Sequence, residues 1–224
     1  MMAYTLIRSK RKTLALYIRG GCLEVRAPLK CPKSEIDKFV ASKARWIENK
    51  LAQSAEQLSK RETFSLDYGD LLTYRGKEYP IIQQDGNRAG FDNEGFCMPP
   101  GLSPVEIKAA CVRIYRLLAK RDLTSRVLDF AKQMSVSPTA VKINGAKTRW
   151  GSCSFKKSLN FSWLLIMADD DVIDYVVVHE LAHITEMNHS HKFWAIVENI
   201  LPDYQNRRLQ LRKLQKRLAS EDWG

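Results

Sequence analysis

All four histidines of this 224-residue chain fall in one stretch, HELAHITEMNHSH, residues 179–191. Within it, His179, Glu180 and His183 form HExxH. On an α-helix, positions i and i+4 lie one turn apart on the same face, about 6 Å between Cβ atoms, so two imidazoles can converge on one ion. Zinc is the ion that such a pair suits best. Glu180 is one position round from His179, which puts its carboxylate beside the ion rather than on it. There it can take a proton from an attacking water and pass it to a leaving group. A catalytic zinc wants three protein ligands and one open position. His189, six residues past His183 and beyond an expected turn at Met187-Asn188, is the third ligand we expect. His191 could replace it, and is otherwise expected either to support the ligands from beside them or to be exposed.

The elements that must position these groups follow from periodicity. Ile173, Val177, Leu181 and Ile184 recur at steps of four, four and three, the buried stripe of a helix, with Tyr175, His179, His183 and Glu186 on another face. The run Asp169–Asp171 precedes that helix and favours its N-terminus. Tyr175, one turn before His179, could stabilise an oxyanion or simply pack. Two further helical stretches follow, one ending near Leu201-Pro202 and one from Tyr204 to about Leu218.

Upstream, TLALYIRGGCLEVRAP reads as a hairpin turning at Gly20-Gly21, with Leu14, Leu16 and Ile18 on one face. Ser34 is the expected N-cap of a helix running to about Leu58. Residues 64–98 return to short strand-like runs, and Pro99-Pro100-Gly101 is the best candidate linker. Ser103-Pro104 then opens a long helix to about Met134, with Ile107, Cys111, Ile114, Leu117, Leu118 and Leu128 as its apolar side. VKINGAKTRWGSCSF and SLNFSWLLIM read as two strands. The expectation is an α+β chain: a basic N-terminal domain at 1–100 built of hairpin, helix and short strands, then a helical catalytic domain at 101–224 with a small antiparallel sheet.

Composition narrows the function classes. No stretch approaches the roughly 18 apolar residues of a membrane span, and the N-terminus lacks the apolar core of a signal peptide. A cytoplasmic protein without a membrane partner is expected. The five cysteines are scattered, with no CxxC pair, which argues against a disulfide framework and a thiolate zinc site. The net charge of +11 is segregated: residues 101–150 hold 10 Lys+Arg against 3 Asp+Glu, whereas 151–224 hold 9 against 10. Such clustering suits an anionic partner, nucleic acid or nucleotide among them, or only a solvated surface.

TRWGSC (148–153), VIDYVVVHELAH (172–183), NHSHKFW (188–194) and LPDY (201–204) together resemble the YgjP-like metal-dependent hydrolases, relatives of SprT-like and WLM-type zinc peptidases. That resemblance implies a zincin-like domain in which His179, His183 and His189 bind zinc and Glu180 is the general base. It implies that Phe193 and Trp194 pack the ligand-bearing turn. Arg149, Trp150, Gly151 and Ser152 match the family's RWGSC element, and are read either as substrate or anion contacts or as strand packing with a turn glycine. Glu186 stands where metzincins need a glycine, so that clan is not assigned. The leading expectation is a zinc peptidase acting on protein or peptide. The alternatives are metal-dependent hydrolysis of a nucleoside triphosphate, against which stands the lack of a Gly-rich phosphate loop, and a nucleic-acid-binding protein with a structural metal.

Overall fold

The structure, a computed structural model, describes residues 2–224, and among them the chain forms two compact units. One holds the chain up to Phe64 with Leu218–Asp222 and Gly224; the other holds Ser65–Arg217 with Trp223. The division therefore falls at 64/65 rather than at 100. The short strands after Phe64 pack with the long helix that follows them, and Pro99–Gly101 is a pinned turn: Tyr68 Oη donates to the Pro99 carbonyl and accepts from Leu102 N–H.

In the first unit, β1 (Thr5–Ser9), β2 (Ala15–Arg19) and β3 (Cys22–Pro28) form a sheet in the order β1-β3-β2. The β2–β3 hairpin turns through Gly20 and Gly21 at φ 54° and 75°, a region that costs glycine little. Leu23, Val25 and Ala27 of β3 close a core with Ile36, Val40 and Ile47, and Leu14, Leu16 and Ile18 pack against it half-buried. The single helix expected from Ser34 to Leu58 is two, α1 (Lys33–Ser42) and α2 (Ala44–Glu62), and Pro32 rather than Ser34 holds the N-cap position. The break lies at Lys43, φ −111° and ψ 12°, where the Ser42 hydroxyl donates to the Phe39 carbonyl and competes for the helical ladder.

The second unit carries the histidines. Its first sheet, in the order β4-β5-β7-β6, comprises β4 (Leu71–Tyr74), β5 (Lys77–Gln83), β6 (Gly90–Phe91) and β7 (Phe96–Met98). Next comes α3 (Pro104–Gln133), opened by a capping box in which Ser103 and Glu106 satisfy each other's backbone N–H. Ile107, Cys111, Ile114 and Leu118 are buried as expected, but Leu117 and Leu128 are 71% and 64% exposed. The face of α3 that packs instead carries Ala110, Tyr115, Ala119, Leu123 and Val127, because the helix is flanked by β7 and by elements that follow it in sequence.

The second sheet runs β8-β10-β9, from β8 (Ala140–Asn144), β9 (Gly151–Cys153) and β10 (Ser158–Ser162). It is mixed rather than antiparallel: β10 pairs parallel with β8 and antiparallel with β9. The first expected strand is split after Asn144, whose side chain accepts from Ala146 N–H and starts a turn. The second ends at Ser162, and Trp163–Met167 is a fully buried 3-10 turn; five consecutive apolar residues fit a buried turn as well as a strand. Three helices complete the unit: α4 (Asp170–Ala182), α5 (His191–Ile200) and α6 (Tyr204–Leu218). Among the described residues no helix is long and apolar enough to cross a membrane.

Candidate metal centre

Helix α4 is anchored at its start by charge. Asp170 accepts from Arg75 at 2.6 and 2.8 Å and also pairs with Arg126, which binds Asp174 as well; Arg207 donates to the Asp171 carbonyl. Beyond that the helix is apolar nearly all round. Ile173, Val177 and Leu181 are buried as expected, and so are Val172, Tyr175, Val176, Val178 and Ala182. The expected division into a packing face and a polar face does not hold.

The helix ends at Ala182, so HExxH straddles its C-terminus, with His183 as the C-cap residue at φ −65°, ψ −16°. Near-helical geometry there keeps His183 one turn from His179, ring centroids 5.0 Å apart. The chain then turns back, and Ser190 caps α5. This return brings His189 against both, centroids 4.9 Å from His179 and 4.7 Å from His183. One ring nitrogen from each of the three lies within 4.8 Å of the others, and the Nε2 atoms of His179 and His189 are 3.1 Å apart. Ligands about 2.0–2.1 Å from a tetrahedral metal are separated by roughly 3.3 Å, so the three donors could hold one ion with small adjustments. Phe193, fully buried, lies under all three rings at 4.5–4.9 Å. His191 is exposed as the first residue of α5 and stands outside this group.

Tautomer and protonation favour donation. The His183 Nδ1–H donates to the Glu186 carbonyl, which leaves the Nε2 lone pair free. Burial, reinforced by His183 and His189, pushes His179 down to about 3, so its ring is neutral at any ordinary pH. Its Nδ1 is buried with no hydrogen-bond partner. His189 is lowered by burial, then by His183 and Arg208.

Glu180 is 6% exposed and its Oε2 has no hydrogen-bond partner. Burial pushes its carboxyl up to about 8 against the opposing charge of Arg149. Of the RWGSC element, the residue that meets Glu180 is Gly151: a Cβ there would stand 2.6 Å from both Cγ and Oε1 of Glu180. Its φ is not left-handed, so this glycine is not a turn residue; it makes room for a carboxylate. A glycine opening a strand beside RW was the available signal. Arg149 is exposed and acts on Glu180 through charge alone; Trp150 is half-buried and its carbonyl accepts from Ser162 N–H; Ser152 lies in β9 opposite Asn160. Tyr175 is buried with its ring 5.8 Å from that of His179. Sequence reasoning missed Arg208, whose guanidinium lies 5.5 Å over the Trp194 ring, itself stacked on Tyr204.

Comparison with known proteins identifies a family. No curated protein matches the chain. Among solved structures, the metallopeptidase zymogen jannalysin of Methanocaldococcus jannaschii is 23% identical, with a TM-score of 0.38 over 41% of this chain and 95% of that one. The zymogen abylysin of Pyrococcus abyssi is 19% identical, with a TM-score of 0.39 over 44% and 97%. The profile of the YgjP-like metallopeptidase domain matches residues 12–214, and the chain belongs to that family.

Proposed function

We propose that this protein is a zinc-dependent peptidase in which His179, His183 and His189 hold the metal and Glu180 is the general base. The observation that carries the reading is the pairing of three converging imidazoles with a buried, unpartnered carboxylate one residue from the first of them. Zinc bound there would supply Lewis acidity for a scissile carbonyl and would make attack by water feasible near neutral pH.

The chain's own groups supply the rest. Glu180 Oε2 accepts the proton of the attacking water and returns it to the departing amine, and a carboxyl raised by burial is suited to both steps. A bound cation opposes that rise, as Arg149 does. Phe193 fixes the three rings from below, and apolar packing of α4 holds Glu180 still. β9 is an outer strand of its sheet, next to Glu180 through Gly151, and offers a backbone edge along which an extended peptide can lie. To Tyr175, whose ring is 5.8 Å from that of His179, we assign the steadying of charge on the substrate carbonyl.

The metal would be structural if His189 and His191 closed a four-ligand site, and the exposed position of His191 outside the group argues against that. The test is Glu180→Gln, with elemental analysis and turnover of casein and nucleoside triphosphates on one sample. About one zinc per chain, retained in the variant while casein cleavage is lost, is the expected result. Undiminished cleavage removes Glu180 from the mechanism; triphosphate turnover without casein cleavage replaces the substrate.

A further inference from the structure

The opposite edge of the β8-β10-β9 sheet carries a second feature. Arg113, Arg116, Leu117 and Lys120 recur on α3 at i, i+3, i+4 and i+7, one face of the helix, and all four are exposed. Facing them is the backbone run Val141–Ile143 of β8, which is paired on one side only, by β10. Helix face and strand edge enclose an open groove of about 690 Å³, floored by Leu117, Val141 and Ile143 and rimmed by the three α3 cations and Lys142. No acidic side chain lines it.

The cations are uncommitted. No salt bridge among the described residues engages Arg113, Arg116, Lys120 or Lys142. Arg126, on the same helix, is by contrast paired with Asp170 and Asp174. Four unneutralised charges around an apolar floor that includes a leucine 71% exposed give this face a positive potential complementary to an acidic ligand with apolar side chains.

We propose that this groove docks an extended acidic segment of a partner protein, which adds as a strand to the free edge of β8 and lays alternate apolar side chains on Leu117, Val141 and Ile143. The edge supplies backbone donors and acceptors, the floor takes every second side chain, and the rim selects for Asp and Glu between them. Single-stranded nucleic acid shares the charge requirement but stacks its bases on aromatic rings, and none lines the groove. The site is independent of the peptidase reading, since β8 and β9 are the two outer strands of the sheet.

The experiment is fluorescence anisotropy on the Glu180→Gln protein, so that the probe is not consumed, using a short labelled peptide that alternates glutamate with valine. Binding that weakens as salt rises is expected. Arg113→Glu combined with Lys120→Glu is expected to weaken it at least about tenfold, and Leu117→Asp comparably, with thermal unfolding unchanged because all three side chains are exposed. A proline at the centre of the peptide should also abolish binding, since it removes a ladder donor. Equal affinity for these variants, equal affinity for a lysine-for-glutamate peptide, or displacement of the probe by a mixed-sequence oligonucleotide that binds more tightly would each overturn the proposal.

Discussion

Gly151→Ala should remove most of the turnover of this protein while leaving its metal site filled. The added methyl carbon would stand 2.6 Å from Cγ and Oε1 of Glu180 and 2.7 Å from Cδ. Unbonded carbons rest at about 3.5–4.0 Å, so about 1 Å must be found. β9 cannot give it: Gly151 is in register with the fully buried Phe161, and the Trp150 carbonyl before it is held by Ser162 N–H at 2.8 Å. α4 cannot give it either, because Val176, Val177 and Leu181 around Glu180 are buried in the core. The carboxylate itself must rotate away. A misplacement of about 1 Å costs on the order of 10²-fold, and loss of a general base about 10²–10⁴-fold, so kcat should fall within that range. Overpacking costs about 1–3 kcal/mol, which for a chain of this size lowers Tm by roughly 2–12 °C. The assay is kcat on a fluorogenic peptide beside elemental analysis of the same protein. A variant that holds zinc, is overpacked by the Tm criterion and still turns over within about twofold of the parent would refute the placement of Glu180 as the base.

Three further outcomes follow from the same geometry. His189→Ala should bind less than one metal per chain and lose the metal-dependent rise in Tm, yet leave the Tm of the metal-free protein nearly unchanged, because His189 is exposed; retained stoichiometry would move the third ligand elsewhere. Asp122→Ala should cost about 1–3 kcal/mol in chemical denaturation, since Asp122 is the buried acceptor of the Tyr74 hydroxyl at 2.5 Å and of Arg121 Nε at 2.6 Å; a neutral result would mean that water replaces Asp122 as the acceptor of the Tyr74 hydroxyl. In the metal-free protein, a Glu180 carboxyl raised to about 8 contributes stability fully below its unfolded value and loses it as pH rises toward 8, so Tm should decline across that window and Glu180→Gln should flatten the decline; parallel curves would show that the carboxyl is not desolvated.

The part of the site most legible in the sequence was the part fixed by helical geometry. His179 and His183 converge because a step of four is one turn, and this holds although the helix ends between them. His189 needed only a return of the chain within six residues. What was hidden depends on contacts distant in sequence. Gly151 looked like a turn because a single chain does not reveal which carboxylate will lie against it. Hydrophobicity alone places Leu117 and Leu128 inside, whereas α3 is packed by α4, the 3-10 turn, β7 and β8 along a face set by Ala110, Tyr115 and Ala119. The hidden break at Lys43 is similar: nothing in the apolar spacing of residues 36–47 marks a helix that stops and restarts.

The distribution of unsatisfied polar atoms gives these observations a common cause. Among the described residues few buried side-chain atoms lack partners, and two of them, His179 Nδ1 and Glu180 Oε2, belong to adjacent residues on one buried helix. An unpaired buried polar group costs about 1–3 kcal/mol, so two side by side are retained only where the surroundings over-determine them. The apolar burial of α4 on nearly every side, and the arginines that clamp Asp170, Asp171 and Asp174 at its start, provide that excess. A helix with one packing stripe, as its sequence first suggests, could relieve Glu180 by tilting it toward water. Burial all round removes that escape, and the same enclosure that keeps the carboxylate unsatisfied keeps it raised, as the proposed general base requires.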